Sequence, residues 1–437
     1  MAETRLTHRR VLAIALPIVL SNATVPILGA VDTGVVGQLG EAAPIGAVGI
    51  GAVVLSMFYW LFGFLRMGTS GMVAQAHGAG DTAETGALLT RSLLFAVGAG
   101  VTLIILQVPI FALAFFLAPA SDEVETLASA YLAIRIWGAP ATIALYAVTG
   151  WLIALERTRG VLVLQLWMNG LNIVLDLWFV LGLGWGVEGV AVATLIAEWT
   201  GLALGLWLCR AAFSGDQWKD WPRVFDRARI RRMVGVNGDI MVRSVVLQAA
   251  FTSFLFLGAR HGDATLAANQ VLLQFLEITA FAMDGFAFAA ESLVGQAYGA
   301  RSRRRVRDAS ILTSQWGVGG AVALGLLFWF AGPALIDLMA KAPEVRIEAR
   351  DFLPWAAIAP VIGIASWMFD GIFIGATRTR DMRNAMLLSG LIYLVVLVPL
   401  IAAFGNHGLW AALMVLNTAR GLTLWRAYPA LERAAET

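Results

Sequence analysis

The chain has 437 residues, of which 59% are hydrophobic and only 14% are charged, and its formal net charge is +2. Soluble domains contain about 45–50% apolar and about 25% charged residues, so this composition excludes an ordinary soluble globular protein. Apolar runs of membrane-spanning length recur along nearly the whole sequence and leave no room for a large soluble domain. The sequence therefore predicts an all-α, polytopic membrane protein.

Cysteine and histidine usage argues against disulfides, resident metals and catalysis. Cys209 is the one cysteine, which excludes an internal disulfide, and the four histidines are scattered. No metal cluster can be assembled from these residues without carboxylates, and no nucleophile–base set is recognisable. We predict that the protein is not an enzyme and has no resident cofactor.

Twelve spans are predicted, and several exceed the ~20 residues needed to cross a bilayer. In chain order they are 10–38, 44–76, 86–117, 123–155, 160–183, 187–212, 234–259, 265–298, 306–340, 345–376, 382–404 and 408–428. The basic N-terminus resembles the start of a signal peptide, but without a small-residue cleavage pattern it is interpreted as a retained first helix.

The distribution of basic residues predicts the orientation. Most of the Lys and Arg residues fall in the segments on the same side as the N-terminus, and four fall on the opposite side (Arg260, Lys341, Arg346 and Arg350). The positive-inside rule therefore places both termini in the cytoplasm. The membrane is predicted to be the inner (plasma) membrane of the cell. The basic runs 223–232 and 301–307 are assigned to lipid headgroup contact rather than to nucleic acid.

The longest polar connection, residues 213–233, divides the chain almost into halves. It combines turn residues with interfacial tryptophans, and its second part is predicted to be a short amphipathic helix at the cytoplasmic surface. We predict an N-terminal lobe over residues 1–212 with spans 1–6, this connecting loop, and a C-terminal lobe over residues 234–437 with spans 7–12.

The two halves also repeat each other in sequence. Val73–Gly80 (VAQAHGAG) matches Val294–Arg301 (VGQAYGAR), and Gly150–Arg159 matches Gly371–Arg380 at the same separation along the chain. We call this separation, from Val73 to Val294, the repeat offset. The repeat offset contains six spans, an even number, so the second half enters the membrane from the same side as the first. The two lobes should therefore be related by an axis along the membrane normal.

A polar stripe stands out in the fifth span. Gln165, Asn169, Asn172 and Asp176 recur at helical spacing in an otherwise apolar helix. Such a stripe inside a membrane span marks a functional site by default, although interhelical hydrogen bonding would also explain it. Asp32, in the first span, supplies a second carboxylate, and two nearby carboxylates could share a proton.

The stripe belongs to one half only. At the repeat offset, Asp32 corresponds to Ser253, Asn172 to Tyr393 and Asp176 to Leu397. A feature present in one copy of a duplicated scaffold suggests specialised use of that copy.

The C-terminal half has its own acidic residues. Glu277, Asp284 and Glu291 recur at every seventh position of the eighth span, so they drift only slowly around the helix. Asp370 in the tenth span is read as a further member of the set. Two interpretations remain open: these residues, with Gln165 and Asn169, line a substrate cavity, or the acids pair with Arg243 and Arg66.

Several of these segments together resemble the multidrug and toxic compound extrusion (MATE) family, and in particular its DinF-like branch. The resemblance rests on Leu16-Pro17, on Val31-Asp32-Thr33, on the two repeats at Gln75 and Gln296, on Asn172 to Asp176, and on the segment from Asp370 to Thr379. It covers all twelve spans and implies the two-lobe MATE fold.

The resemblance implies secondary antiport, in which an inward flux of H⁺ or Na⁺ drives the export of amphipathic, often cationic compounds. By the same resemblance, the cation-coupling residues are Asp32, Asn172, Asp176, Thr194 and Tyr131. Na⁺ would bind at Asp32, Asn172 and Asp176, and Pro17 would be the hinge that lets the first helix bend.

The resulting prediction is a monomeric exporter whose partners are small amphipathic substrates and membrane lipids. Two alternatives stay open at this point: a lipid-intermediate flippase of the wider superfamily, and a channel or receptor-like membrane protein without coupled transport. The acidic character of the residues within the spans favours the exporter over the flippase.

Overall fold

The computed structural model describes residues 6–38, 40–117 and 120–436 of the chain. The described residues form two compact units. The N-terminal unit consists of Leu20–Ala76 and Asp81–Met233, and the C-terminal unit contains the chain from Val234 onward together with His77–Gly80 and the residues up to Val19. The predicted lobe boundaries, which begin the N-terminal lobe at residue 1 and set 213–233 apart as a loop, stay a prediction.

Helices account for nearly all of the described chain before Val234. They are α1 (His8–Ala23), α2 (Val25–Gly37), α3 (Ala42–Leu61), α4 (Phe64–Gly78), α5 (Thr82–Ile105), α6 (Gln107–Leu117), α7 (Asp122–Arg135), α8 (Ala139–Ala154), α9 (Thr158–Asp176), α10 (Gly186–Leu208) and the short α11 (Trp221–Val224). A 3₁₀ turn, Ile136–Gly138, joins α7 to α8 within one span.

Six longer helices follow. They are α12 (Arg227–Gly258), α13 (Asp263–Gly299), α14 (Arg303–Met339), α15 (Pro343–Gly375), α16 (Thr379–Phe404) and α17 (Asn406–Ala434). The core of this unit is formed by large apolar side chains such as Phe254, Phe275, Phe328 and Trp410, all of which are almost fully buried.

The fold class is the predicted one, an all-α membrane protein with twelve spans. Over the described residues, eleven helical stretches are long and apolar enough to cross a membrane. The twelfth span is α17, whose charged residues lower its hydropathy but whose Leu409, Trp410 and Leu413 are fully buried.

The backbone reproduces the sequence repeat. Left-handed backbone conformations occur in three pairs at the repeat offset: Gly80 (φ 75°) with Arg301 (52°), Glu156 (59°) with Thr377 (49°), and Gly184 (70°) with Gly405 (56°). Residues other than glycine rarely adopt such angles, so their recurrence at one offset indicates an inherited chain path. The pseudo-symmetric halves are therefore confirmed at the level of backbone geometry.

Close helix packing also recurs at this offset. A Cβ atom on Gly150 would lie 2.5 Å from the carbonyl oxygen of Arg66, and one on Gly371 would collide with the carbonyl oxygen of Ala287. Arg66 and Ala287 are themselves related by the repeat offset. Each unit therefore contains the same contact between two helix backbones, and each contact requires a residue without a side chain.

We expect Gly150→Ala and Gly371→Ala each to destabilise the protein by about 1–3 kcal/mol, because the added methyl group must push two helix backbones apart. Gly98→Ala and Gly319→Ala are matched controls, since a Cβ there meets nothing within 4 Å. Thermal unfolding of the purified variants in one detergent measures the difference. Equal midpoints for the four variants would contradict the assigned contacts.

Candidate functional site

The N-terminal unit brings together Asp32 from α2 with Asn172 and Asp176 from α9. The side-chain amide of Asn172 donates to Asp32 Oδ1 at 3.2 Å and to Asp176 Oδ2 at 2.6 Å. Asn172 is 1% exposed and Asp176 is fully buried. One amide group therefore joins two carboxyl groups from different helices, as the sequence pattern had suggested for these three residues.

This cluster contains more acceptors than donors. Among the described residues, the buried oxygens Asp176 Oδ1 and Asn172 Oδ1 have no hydrogen-bond partner. A buried acceptor without a donor costs about 1–3 kcal/mol, and a proton, a metal cation or a buried water relieves such a deficit. The chemistry of the site therefore fits a bound cation.

Irregular helix geometry surrounds this cluster. Asp176 is the last residue of α9, and a π-helical segment, Leu177–Gly182, follows it directly. Such segments are frequent at functional sites because they displace side chains from the regular helical register. In the C-terminal unit, α16 continues as an α-helix past Leu397, which occupies the position of Asp176, and contains Pro399.

The first half of the stripe, Gln165 and Asn169, forms hydrogen bonds at a break in the first span. The helix is interrupted at Thr24, between α1 and α2, and Asn169 Nδ2 donates to the Thr24 carbonyl oxygen at 3.3 Å and to its hydroxyl at 2.8 Å. Gln165 in turn donates to Asn169 Oδ1 at 3.0 Å. Pro17, the predicted hinge, lies inside α1, about two helical turns before this break.

The two other predicted coupling residues differ in their surroundings. Tyr131 on α7 is 4% exposed. Its hydroxyl interacts electrostatically with Arg135 and with Asp32. Thr194 on α10 donates its hydroxyl to the carbonyl oxygen of Val190 in its own helix at 3.0 Å. Tyr131 therefore lies near the carboxyl cluster, whereas the hydroxyl of Thr194 bonds to the backbone of its own helix.

A buried ion pair near this cluster was not predicted from the sequence. Arg135 on α7 binds Glu198 on α10 through two hydrogen bonds of 2.7 and 3.0 Å, and both side chains are 9% exposed. Arg135 also interacts electrostatically with Asp32. The signal available in the sequence was two ionisable residues of opposite sign in apolar spans.

The acidic residues of the C-terminal unit do not share one environment. Glu277 is exposed on α13, Asp284 is half-buried and Glu291 is 1% exposed. Asp370 on α15 pairs with Arg243 of α12, as one of the two open interpretations proposed, and also with Arg420 of α17. Asp370 is thus part of a cluster that contains two arginines, while Glu277 is on the exposed face of its helix.

The position equivalent to the carboxyl cluster is neutral in the C-terminal unit. Ser253 and Tyr393, the counterparts of Asp32 and Asn172, share a hydrogen bond of 2.9 Å between their hydroxyl groups. The same interhelical contact is therefore present in both units, but only the N-terminal copy places carboxyl groups in it.

Comparisons with known proteins agree with this architecture. The MatE family model matches residues 17–178 and again residues 240–400, once in each half. The chain is 40% identical over 430 residues to DNA damage-inducible protein F of Escherichia coli, covering 95% of this chain and 91% of that protein. It is 25% identical to a probable multidrug resistance protein NorM of Acinetobacter baylyi, covering 94% of each.

Solved structures show the same fold. One is described as the outward-facing conformation of a multidrug resistance MATE family transporter of the MOP superfamily; it superimposes with a TM-score of 0.89 at 19% identity, covering 98% of this chain and 97% of that one. A crystal structure of MATE in the bent conformation gives a TM-score of 0.88 at 20% identity, with the same coverage.

The buried Arg135–Glu198 pair yields a stability prediction. Arg135→Met or Glu198→Leu alone should cost about 3–5 kcal/mol, because each leaves an uncompensated buried charge, whereas the double variant should recover most of this loss. Thermal unfolding of the purified variants tests the effect. Lys219→Met and Asp216→Asn are controls, because that exposed pair should contribute under about 1 kcal/mol. A double variant no more stable than the singles would contradict the paired assignment.

Proposed function

Because this chain belongs to the MatE family of multidrug and toxic compound extrusion transporters, we propose that it is a secondary antiporter that exports amphipathic compounds in exchange for H⁺ or Na⁺. The protein is a multi-pass membrane transporter of this family and not an enzyme. The similarity to the Escherichia coli protein also confirms the expected DinF-like relationship.

The observation that carries the proposal is the amide of Asn172 shared by Asp32 and Asp176. When the carboxyl pair holds a cation, α2 and α9 are drawn to one another; when it is empty, two negative charges repel across the same contact. Loading and unloading of the cation therefore favour different arrangements of α2 against α9. A ligand can drive a conformational change only through such a difference in affinity between two states.

We propose H⁺ as the first coupling ion and Na⁺ as the alternative. A proton needs a single acceptor, and the pair supplies one in Asp176 Oδ1. Hard metal cations prefer several oxygen ligands, so a Na⁺ site needs neutral oxygens in addition to the two carboxyl groups. Asn172 Oδ1 and Thr194 would complete the set if Na⁺ were used.

The substrate face is proposed on α13. Gln270, Gln274 and Glu277 are exposed at i, i+4 and i+7 of this helix. Lipid tails do not accept an exposed carboxylate in the middle of a span, which supports a water-accessible cavity along this stripe. Glu277, with Asp284 and Glu291 as further candidates, would attract cationic amphipathic compounds, whereas Asp370 is already engaged by Arg243 and Arg420.

Three further expectations are carried forward as proposals. Both termini lie in the cytoplasm, the protein functions as a monomer, and the first span bends when the cation is exchanged. Pro17 was the residue predicted to allow the bend; the break at Thr24 and Pro26 provides a second place for it, directly beside Asn169.

Asp32→Asn and Asp176→Asn should each abolish cation-driven efflux while the protein still inserts and folds, because each removes an exchangeable charge without changing the side-chain volume. Efflux of ethidium from proteoliposomes measures the loss. Ser253→Ala, at the position equivalent to Asp32, is the matched control and should retain transport. Full transport by both Asn variants would disprove the coupling site.

Asn172→Leu should also reduce coupled efflux by at least about tenfold, because both carboxyl groups lose their shared donor. Tyr393→Phe removes the hydroxyl at the equivalent position of the C-terminal unit and should leave the rate within about twofold. The comparison separates loss of the coupling site from loss of a helix contact, since both variants delete a hydrogen bond between equivalent helices. Equal losses would favour a structural role.

The coupling ion is identified by imposing proton and sodium gradients separately on the same proteoliposomes. We expect an imposed pH gradient to drive uphill ethidium movement without Na⁺. Movement driven only by the sodium gradient would replace H⁺ by Na⁺ in the proposal. Downhill movement unaffected by either gradient would favour an uncoupled channel or a flippase.

A further inference from the structure

The C-terminal unit contains a buried cluster of opposite polarity to the carboxyl pair. Arg243 of α12 and Arg420 of α17 both donate to Oδ2 of Asp370 on α15, the latter at 2.7 Å. The side chains of Arg243, Arg420 and Asp370 are 9%, 7% and 10% exposed, respectively. We call these residues the arginine triad. Two guanidinium groups thus share one carboxylate, and the triad carries one positive charge in excess.

The acid that precedes Arg243 by one turn on α12 is engaged by other groups. Arg420 also donates to the neutral side chain of Asn417 at 3.2 Å. Asp239, one turn before Arg243, is engaged by Arg383 at 2.7 Å and by the hydroxyl of Thr379 at 3.1 Å. The nearest acid along α12 is therefore already paired with another cation.

Arg243 also has hydrogen-bond donors that are not fully used. Its Nε is buried and has no hydrogen-bond partner among the described residues. Its Nη1 has a weak contact of 3.4 Å with the hydroxyl of Ser244, which is half-buried. Arginine presents its donors in a fixed planar fork that matches a carboxylate with two parallel hydrogen bonds. Arg243 uses only part of that fork.

The triad is not part of the duplicated scaffold. At the repeat offset its three members correspond to Asn22, Thr149 and Trp199, none of which is ionisable. A structural role alone would be to join α12, α15 and α17. Burying a net charge is an inefficient way to join helices, because apolar side chains of similar volume often stabilise as well or better.

We propose that the arginine triad binds the carboxylate of the transported compound, so that the preferred substrates are amphipathic molecules that carry a carboxylate beside their cationic group. The substrate carboxylate would take the unused donors of Arg243, in competition with Asp370. This inference rests on the proposed export function but concerns binding alone, and it narrows the substrate class from cations to zwitterions.

Two fluorescent probes test this in the absence of any gradient. Nε-dansyl-lysine and dansylcadaverine share the dansyl group, the alkyl chain and the amine, and differ by one carboxylate. We expect the purified protein in nanodiscs to bind dansyl-lysine about tenfold more tightly, as one charge-assisted hydrogen-bonded contact would give. Equal affinities, or tighter binding of dansylcadaverine, would overturn the proposal whether or not coupled transport is found.

Two substitutions that should change the dansyl-lysine affinity in opposite directions separate an effect on substrate binding from an effect on folding. Arg243→Gln should lower the dansyl-lysine affinity to that of dansylcadaverine, because it removes the excess charge and the unused donor. Asp370→Asn should raise the dansyl-lysine affinity, because it removes the competing carboxylate. If Arg243→Gln does not fold, the sign of the Asp370→Asn effect decides. A loss of both probes in both variants would show that the triad is structural and would overturn the proposal.

Discussion

A carboxylate that leaves water inside a membrane protein must find a donor or a cation, and the N-terminal unit solves this with one amide. Asn172 donates to both Asp32 and Asp176, which holds α2 against α9. The amide has only two N–H groups and the two carboxyl groups have four oxygens, so this amide cannot satisfy all of the acceptors in the cluster. Under the proposed function, the exchange of a cation at this pair and the packing of the two helices are one event rather than two.

Duplication explains where this chemistry is located. The left-handed residues and the glycine contacts recur at the repeat offset, so both units inherit the same chain path. At the equivalent place, Ser253 and Tyr393 keep the helix contact with neutral hydroxyl groups. The contact itself is therefore scaffold, and the carboxyl groups are present in one copy only. At this place α9 is followed by a π-helical segment, whereas α16 continues as an α-helix with Pro399 inside it, so the two copies differ in backbone as well as in side chains.

The sequence was sufficient for the fold and for half of the site. Apolar runs and the repeat indicated the spans, and the spacing of Asn172 and Asp176 placed both on one face, because these patterns are local. The pairing of Arg135 with Glu198 and of Arg420 with Asp370 could not be derived, since helical periodicity does not determine which helices become neighbours. The regular spacing from Glu277 to Glu291 likewise predicted a common face but not its change from exposed to buried along α13.

The two units differ in the sign of their buried charge, and this bears on how exchange is enforced. Near the carboxyl pair, three acids accompany one arginine, whereas the arginine triad has two arginines and one acid. If the coupling cation binds in one unit and the substrate carboxylate in the other, the two ligands have no common atoms for which to compete. Their exchange must then arise because the two ligands bind preferentially to different conformations of the protein. By thermodynamic linkage, each ligand then lowers the affinity of the protein for the other by the same factor. An antiporter of this kind needs no shared binding pocket, only two sites that favour different states.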